Sequence, residues 1–230
     1  MMTTAIASPA AAVLTEINRE IPLFDVHKAH AEALAREVPG WSGPPHHLFF
    51  HCVFKALPEI RTVLILGVYF GRDICIMSRC AKGRELQVVG VDKFSDTACA
   101  DWPDGKRNLS WEAAGFGKPP NAKQALANID ARKDALHQVR LIESDDAVWL
   151  PAIQGHFDLI YIDTAHDKAT VQRQIRQVAP LAGPNTLIAG DDYEDLGITT
   201  WGVKPAVTEG FKRHHVVADV IWFADAKDIA

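Results

Sequence analysis

The chain has 230 residues, 48% hydrophobic and 23% charged, a globular balance that argues against disorder and allows one well-buried domain. A formal net charge of −5, with Lys and Arg scattered, gives no electrostatic case for a nucleic-acid or membrane partner. No apolar run approaches the roughly 20 residues of a membrane span, the opening MMTTAIASPAAAVL lacks a basic n-region, and Cys52, Cys75, Cys80 and Cys99 show no paired spacing, so the expectation is a cytoplasmic protein with reduced thiols.

Residues 12–37 read as one or two amphipathic helices, ended by Pro39-Gly40 and Pro44-Pro45. A helix is expected from about His46 to Leu57. TVLILGV (62–68) is apolar throughout and β-branched, as a central parallel strand buried on both faces should be. Four similar segments follow: LQVVGVD (86–92), VRLIES (139–144), FDLIYID (157–163) and TLIAGDD (186–192). Helical stretches separate them at 72–82, 122–138 and 168–181. Strands alternating with helices predict a doubly wound α/β fold with a mostly parallel sheet. The tail adds a helix over 203–214 and apolar residues 216–223 for a last strand or a tight hairpin. We divide the chain into an N-terminal helical segment, 1–45, and a main domain, 46–230. Residues 95–120, rich in Gly, Pro, Asp and Trp, read as an insertion that either lids a ligand site or is a surface excursion.

Ligands of open parallel sheets bind outside the carboxyl ends of the strands. Those ends carry the turn Gly67-Val68-Tyr69-Phe70-Gly71, then Asp92, Asp145, Asp163, and Asp191 with Asp192. Glycines at 67 and 71 allow close approach of backbone N–H groups to a ligand at a helix N-terminus. Asp92, 25 residues beyond Gly67, is placed to accept both hydrogens of a ribose diol or to cap a turn. Asp145 either receives an adenine amino group or caps the helix through Trp149. Asp163, Asp191 and Asp192 converge if the fourth and fifth strands are neighbours. Three carboxylates that close need a cation, and hard oxygen ligands suit Mg²⁺, Mn²⁺ or Ca²⁺; otherwise Asp191 or Asp192 caps the next turn. His166, three residues after Asp163, is either a general base facing the same cleft or a surface histidine. His47 and His51, four apart on a helix, make a pair with no third ligand suggested by the sequence. His214-His215 reads as a solvated helix end.

The segments TVLILGVYFGRD, VVGVDKF, FDLIYIDTAHDKATVQRQIRQVAPLAGPNTLIAGDDY and GVKPAVTEGF resemble the S-adenosylmethionine-dependent methyltransferases of the doubly wound fold. The nearer likeness is to the metal-dependent, macrocin-type small-molecule O-methyltransferases that methylate sugar hydroxyls. The resemblance covers roughly residues 46–215, and its most specific part pairs IDxxH with AGDDY. It implies that Gly67, Tyr69 and Gly71 cradle the methionine part of S-adenosylmethionine, Asp92 holds the ribose and Asp145 lies by the adenine. It further implies that Asp163, beside the cofactor, joins Asp191 and Asp192 in ligating Mg²⁺, and that His166 is the catalytic base. The acceptor would be a hydroxylated small molecule, and the chain a possible homo-oligomer. Two departures stand out. Ile65 occupies the position where the family usually has an acid, and Thr164-Ala165 replaces the Gly-Asp of IDGDH. The alternatives are a metal-independent methyltransferase acting on another acceptor, or a non-catalytic relative that binds cofactor or metal.

Overall fold

The computed structural model describes residues 7–95, 110–113, 115, 117–194 and 201–230. Most of the 95–120 insertion therefore lies outside the described residues. None of the described helices is long and apolar enough to cross a membrane.

Helices α1 (Pro9–Glu20) and α2 (Phe24–Ala35), joined by a single 3₁₀ turn, precede α3 (Pro44–Ala56). The sheet follows, with strands β1 (Thr62–Leu66), β2 (Leu86–Asp92), β3 (His137–Glu143), β4 (Phe157–Ile162), β5 (Ala182–Gly190), β6 (His215–Val217) and β7 (Ile221–Asp225). Between them run α4 (Arg72–Cys80), α5 (Ala122–Asp130), α6 (Asp146–Trp149), α7 (Lys168–Val178) and α8 (Val203–Gly210). The order across the sheet is β3-β2-β1-β4-β5-β7-β6. The first five strands are parallel and β7 and β6 antiparallel. This is the doubly wound arrangement that the alternating pattern predicts. The order reverses at β1, so the crevice for a ligand opens between the ends of β1 and β4.

Both faces of the central strands are covered. Leu64, Leu66, Ile160 and Ile188 pack under α7 and α8, while Val63, Ile65, Leu159 and Tyr161 share the other core with α1, α3 and α4. Ile65 is fully buried there as a core side chain.

Three expected boundaries move. The helix over 122–138 stops at Asp130, and β3 begins at His137. Helix-forming residues continue past 130, but the Asp134 carboxylate accepts the N–H groups of Gly83 and Leu136 and fixes a turn. Pairing of His137 with Leu86 then takes the chain into the sheet, and tertiary context overrides propensity. The helix over 203–214 stops at Gly210, so His214-His215 is no helix end. His214 Nε2 instead meets the Tyr193 hydroxyl at 2.9 Å and His215 opens β6. Residues 216–223 form most of the β6–β7 hairpin, one of the two forms expected.

Packing of α2 on α3 buries His27 and His47, with His27 facing Glu20 of α1 at 3.5 Å. Burial and the neighbouring His27, His30 and His51 rings push the His47 pKa down to about 4, and burial lowers His27 as well. An unfolded His47 titrates near 6.5, so as pH falls from about 6.5 toward 4 the unfolded chain takes up a proton that the fold refuses. The expected cost at His47 is about 2 kcal/mol on going from pH 7 to pH 5. Urea unfolding in chelator-treated buffer checks this: the stability gap between the wild type and His47→Gln should narrow by that amount at pH 5, and a gap independent of pH refutes it.

Candidate active site

Register brings the acids together. Ile162 pairs with Gly190 in parallel, so the next residues, Asp163 and Asp191, leave adjacent strands side by side, and the Asp191 N–H donates to Ile162 O at 3.1 Å. Consecutive side chains on an extended strand point to opposite faces. Asp192 escapes that rule through a left-handed backbone, φ +58°, which turns the chain just past the strand. One carboxylate oxygen from each of Asp163, Asp191 and Asp192 then lies within 4.8 Å of the others, the one such group of potential cation ligands among the described residues. Thr164, Ala165 and His166 line the same pocket.

Two histidines hold this cluster. His166, buried, places Nε2 2.8 Å from Asp192 Oδ2 and stacks on Trp201 with ring centres 4.3 Å apart. His46, in the first turn of α3, places Nε2 2.9 Å from Asp191 Oδ2. Burial alone would lower the His46 pKa, but the Asp191 charge, with Asp73 and Asp163 behind it, raises it to about 9. Against that pull, His46 Nδ1 accepts the Gly43 N–H at 3.1 Å, which requires an unprotonated Nδ1, so the ring as placed is the neutral tautomer that donates from Nε2 to Asp191. Burial pushes the Asp163 carboxyl well above its ordinary range, and Asp191, Asp73 and Asp192 push it further. Asp192 is raised chiefly by burial, against the pull of His166.

A cation fits these residues. Asp191 has spent Oδ2 on His46, and its Oδ1 is buried without a hydrogen bond. An orphaned carboxylate oxygen facing two more carboxylates is costly unless a positive charge meets it.

The glycine turn lies alongside. Gly67 (φ +87°) and Gly71 (φ +85°) both need the left-handed region, and Gly71 opens α4. Asp92 braces the turn: its Oδ2 accepts from Val68 N and Tyr69 N, each at 2.8 Å, and its Oδ1 accepts from Phe94 N at 2.7 Å. A carboxylate has about four lone-pair sites, so one remains for a ligand hydroxyl. Asp145 caps α6 through Ala147 N and meets Lys93 Nζ at 2.8 Å. Tyr69 (φ +51°) stacks against Trp41 at 4.8 Å and lies 5.2 Å from Trp111. Arg72 ties Trp41's loop to α4, donating to Val38 O and Ser42 O.

Sequence reasoning missed His46 and Asp73. Asp73, in the first turn of α4, is buried with Oδ1 lacking a hydrogen bond; burial raises its pKa, which His46 pulls back. His46 and Asp191 are 145 positions apart, and nothing in the sequence between them signals that they meet.

The family described as a methyltransferase domain matches residues 64–193. No curated protein matches the chain. Among solved structures, cofactor-bound Rv0187 from MTB is similar with TM-score 0.54 and 18% identity, over 97% of this chain and 100% of that one. The SAH-bound methyltransferase PaMTH1 of Podospora anserina is similar with TM-score 0.55 and 13% identity, over 92% and 86% of the two chains. The O-methyltransferase TomG of Streptomyces achromogenes, involved in tomaymycin synthesis and solved with SAM, is similar with TM-score 0.54 and 16% identity, over 86% and 88%. At these identities the likeness is one of fold.

Proposed function

Since the chain belongs to the methyltransferase-domain family and is an S-adenosylmethionine-dependent methyltransferase, we propose that it methylates a hydroxyl of a small molecule, a sugar or another natural product, with Mg²⁺ or a similarly hard cation at the acid cluster. The observation that carries this reading is the convergence of Asp163, Asp191 and Asp192, with Asp191 Oδ1 buried and unbonded, beside a glycine turn braced by Asp92.

When bound, S-adenosylmethionine supplies an electrophilic methyl group and the cation supplies a charge that acidifies a nearby hydroxyl. The chain's residues do the rest. Gly67, Tyr69 and Gly71 bind the methionine end, Asp92 takes a ribose hydroxyl on its remaining acceptor site, and Asp145 lies by the adenine. Asp73 provides the carboxylate for the cofactor's amino end that Ile65 does not. Asp163, Asp191 and Asp192 hold the cation. His166 takes the hydroxyl proton, and Asp192 keeps its ring in a fixed orientation. Trp41 and Trp111 wall the turn side, which favours positioning of the acceptor against the methyl group.

The test is calorimetric titration of S-adenosylmethionine in Mg²⁺ buffer, followed by turnover on hydroxylated acceptors. One site per chain is expected, with His166→Gln binding cofactor normally while kcat falls about 10²–10⁴-fold. No binding at two temperatures refutes the cofactor assignment, and an undiminished kcat in His166→Gln refutes the base.

A second reading is favoured by the histidine contacts. His46 and His166 already give Asp191 and Asp192 hydrogen-bonding partners without a cation, as a metal-independent methyltransferase would require. Turnover unchanged by EDTA selects it.

A further inference from the structure

We propose a second metal site, separate from the acid cluster, in which His27 and His30 of α2 and His47 of α3 bind a borderline divalent cation such as Zn²⁺ or Ni²⁺ and clasp the N-terminal helices to the domain. Spacing and packing create it. Residues 27 and 30 share one face of α2, residues 47 and 51 share one face of α3, and the two faces meet. His27 Nδ1 and His47 Nδ1 stand 3.0 Å apart. Ring centres are 5.2 Å apart for His27–His47 and 5.0 Å for His30–His47. Two imidazoles bound to one tetrahedral ion at ordinary Zn–N distances have ring centres about 5.2 Å apart. The Nδ1 pair, hydrogen-bonded at 3.0 Å, has only to open to about 3.3 Å to become two vertices of such a site.

The outer surroundings fit as well. His27 is 3% exposed, and its other nitrogen, Nε2, makes no hydrogen bond but faces Glu20 Oε2 at 3.5 Å. Metal-bound histidines commonly direct their second nitrogen at a carboxylate, which fixes the ring. Lys55 Nζ anchors Glu20 through Oε1 at 2.5 Å, keeping Oε2 toward His27. His51 Nε2 also faces Glu20, at 3.8 Å. His30 is exposed, so it can turn onto the ion and leave the fourth position to water. As placed, its ring stacks parallel to His47, so closing the site requires that rotation together with a small opening of the His27–His47 pair. Imidazole donors suit Zn²⁺ and Ni²⁺, whereas the oxygen cluster of Asp163, Asp191 and Asp192 suits Mg²⁺, and the two sites are chemically separable. His47 adjoins His46, so the clasp also fixes the helix that holds Asp191.

Chelator-treated protein saturated with Mg²⁺ is titrated with Zn²⁺, following bound metal and thermal stability. One Zn²⁺ per chain is expected, raising Tm by about 5–10 °C at a hundredfold excess over Kd. His30→Ala and His47→Gln should each weaken binding at least tenfold, and Asp192→Asn should leave it unchanged. If His47→Gln does not fold, His30→Ala, altering an exposed side chain, decides. Absence of Zn²⁺ binding overturns the proposal. So does a Zn²⁺ equivalent that persists in His30→Ala, or one lost in Asp192→Asn.

Discussion

Asp163→Asn is expected to make the metal-free protein more stable while abolishing most of its turnover. The two effects have one origin. Burial and the charges of Asp191, Asp73 and Asp192 raise the Asp163 carboxyl pKa far above its ordinary value. At neutral pH the fold must hold either a buried charge or a proton that the unfolded chain would not carry. A neutral amide of the same shape removes that cost, and replacing buried charge is often neutral or stabilising. The expected gain is about 1 kcal/mol, or roughly 2–4 °C in Tm for a chain of this size. Mg²⁺, which raises the wild-type Tm by binding the native state alone, should lose that effect in the variant. Turnover should fall about 100-fold or more, on the scale of losing one charge-stabilising group. Paired melts with and without Mg²⁺ and an initial-rate assay check all three. A lower metal-free Tm would show that Asp163 is net favourable without a cation. Preserved turnover would move the chemistry to the metal-independent reading. Asp192→Asn is the informative neighbour: it breaks the 2.8 Å contact to His166 and should gain less stability.

The sheet and the acids at its edge were legible because both follow from short-range rules. Central parallel strands must be apolar on both faces, so TVLIL and FDLIYI could only be buried strands, and ligand-facing acids can only follow their last residue. The convergence of Asp163 with Asp191 needs one further step, that β4 and β5 are neighbours, and the topology supplies it. Partners set by helix docking were not legible. His46 meets Asp191 only because α3 lays its first turn against the sheet edge, and Asp73 joins them from α4. The same holds for His47, which gains His27 from α2, itself facing Glu20 of α1. A sequence shows i,i+4 pairs on one helix, but not which helix faces them. Two histidines from distant segments already meet Asp191 and Asp192, and a cation has only the remaining oxygens to claim.

Gly67→Ala should be the most damaging alanine substitution among the described glycines. Gly67 has φ +87°, and a Cβ there would lie 1.6 Å from Asp163 O and 2.6 Å from its carbonyl carbon. Those are backbone atoms at the end of a central strand, and they cannot swing aside as a side chain would. Gly67 N donates to Val91 O, and Asp163 N donates to Leu66 O, both at 2.8 Å. The methyl group therefore forces apart the point where β1, β2 and β4 are stitched together. The left-handed backbone alone costs an alanine about 1–2 kcal/mol, and overpacking adds roughly 1–3 kcal/mol or more. Together they correspond to a Tm lower by about 5–20 °C. Gly83→Ala separates the two costs, because Gly83 has φ +80° with nothing within 4 Å of its Cβ position. It should lose only the conformational part, about 1–2 kcal/mol. Cofactor affinity should fall more than 100-fold in Gly67→Ala and stay unchanged in Gly83→Ala, because only the first displaces both the turn and Asp163. Equal stability losses in the two variants, read by urea unfolding, would mean that the contact with Asp163 relaxes freely. The glycine at 67 would then be required for its backbone angle alone.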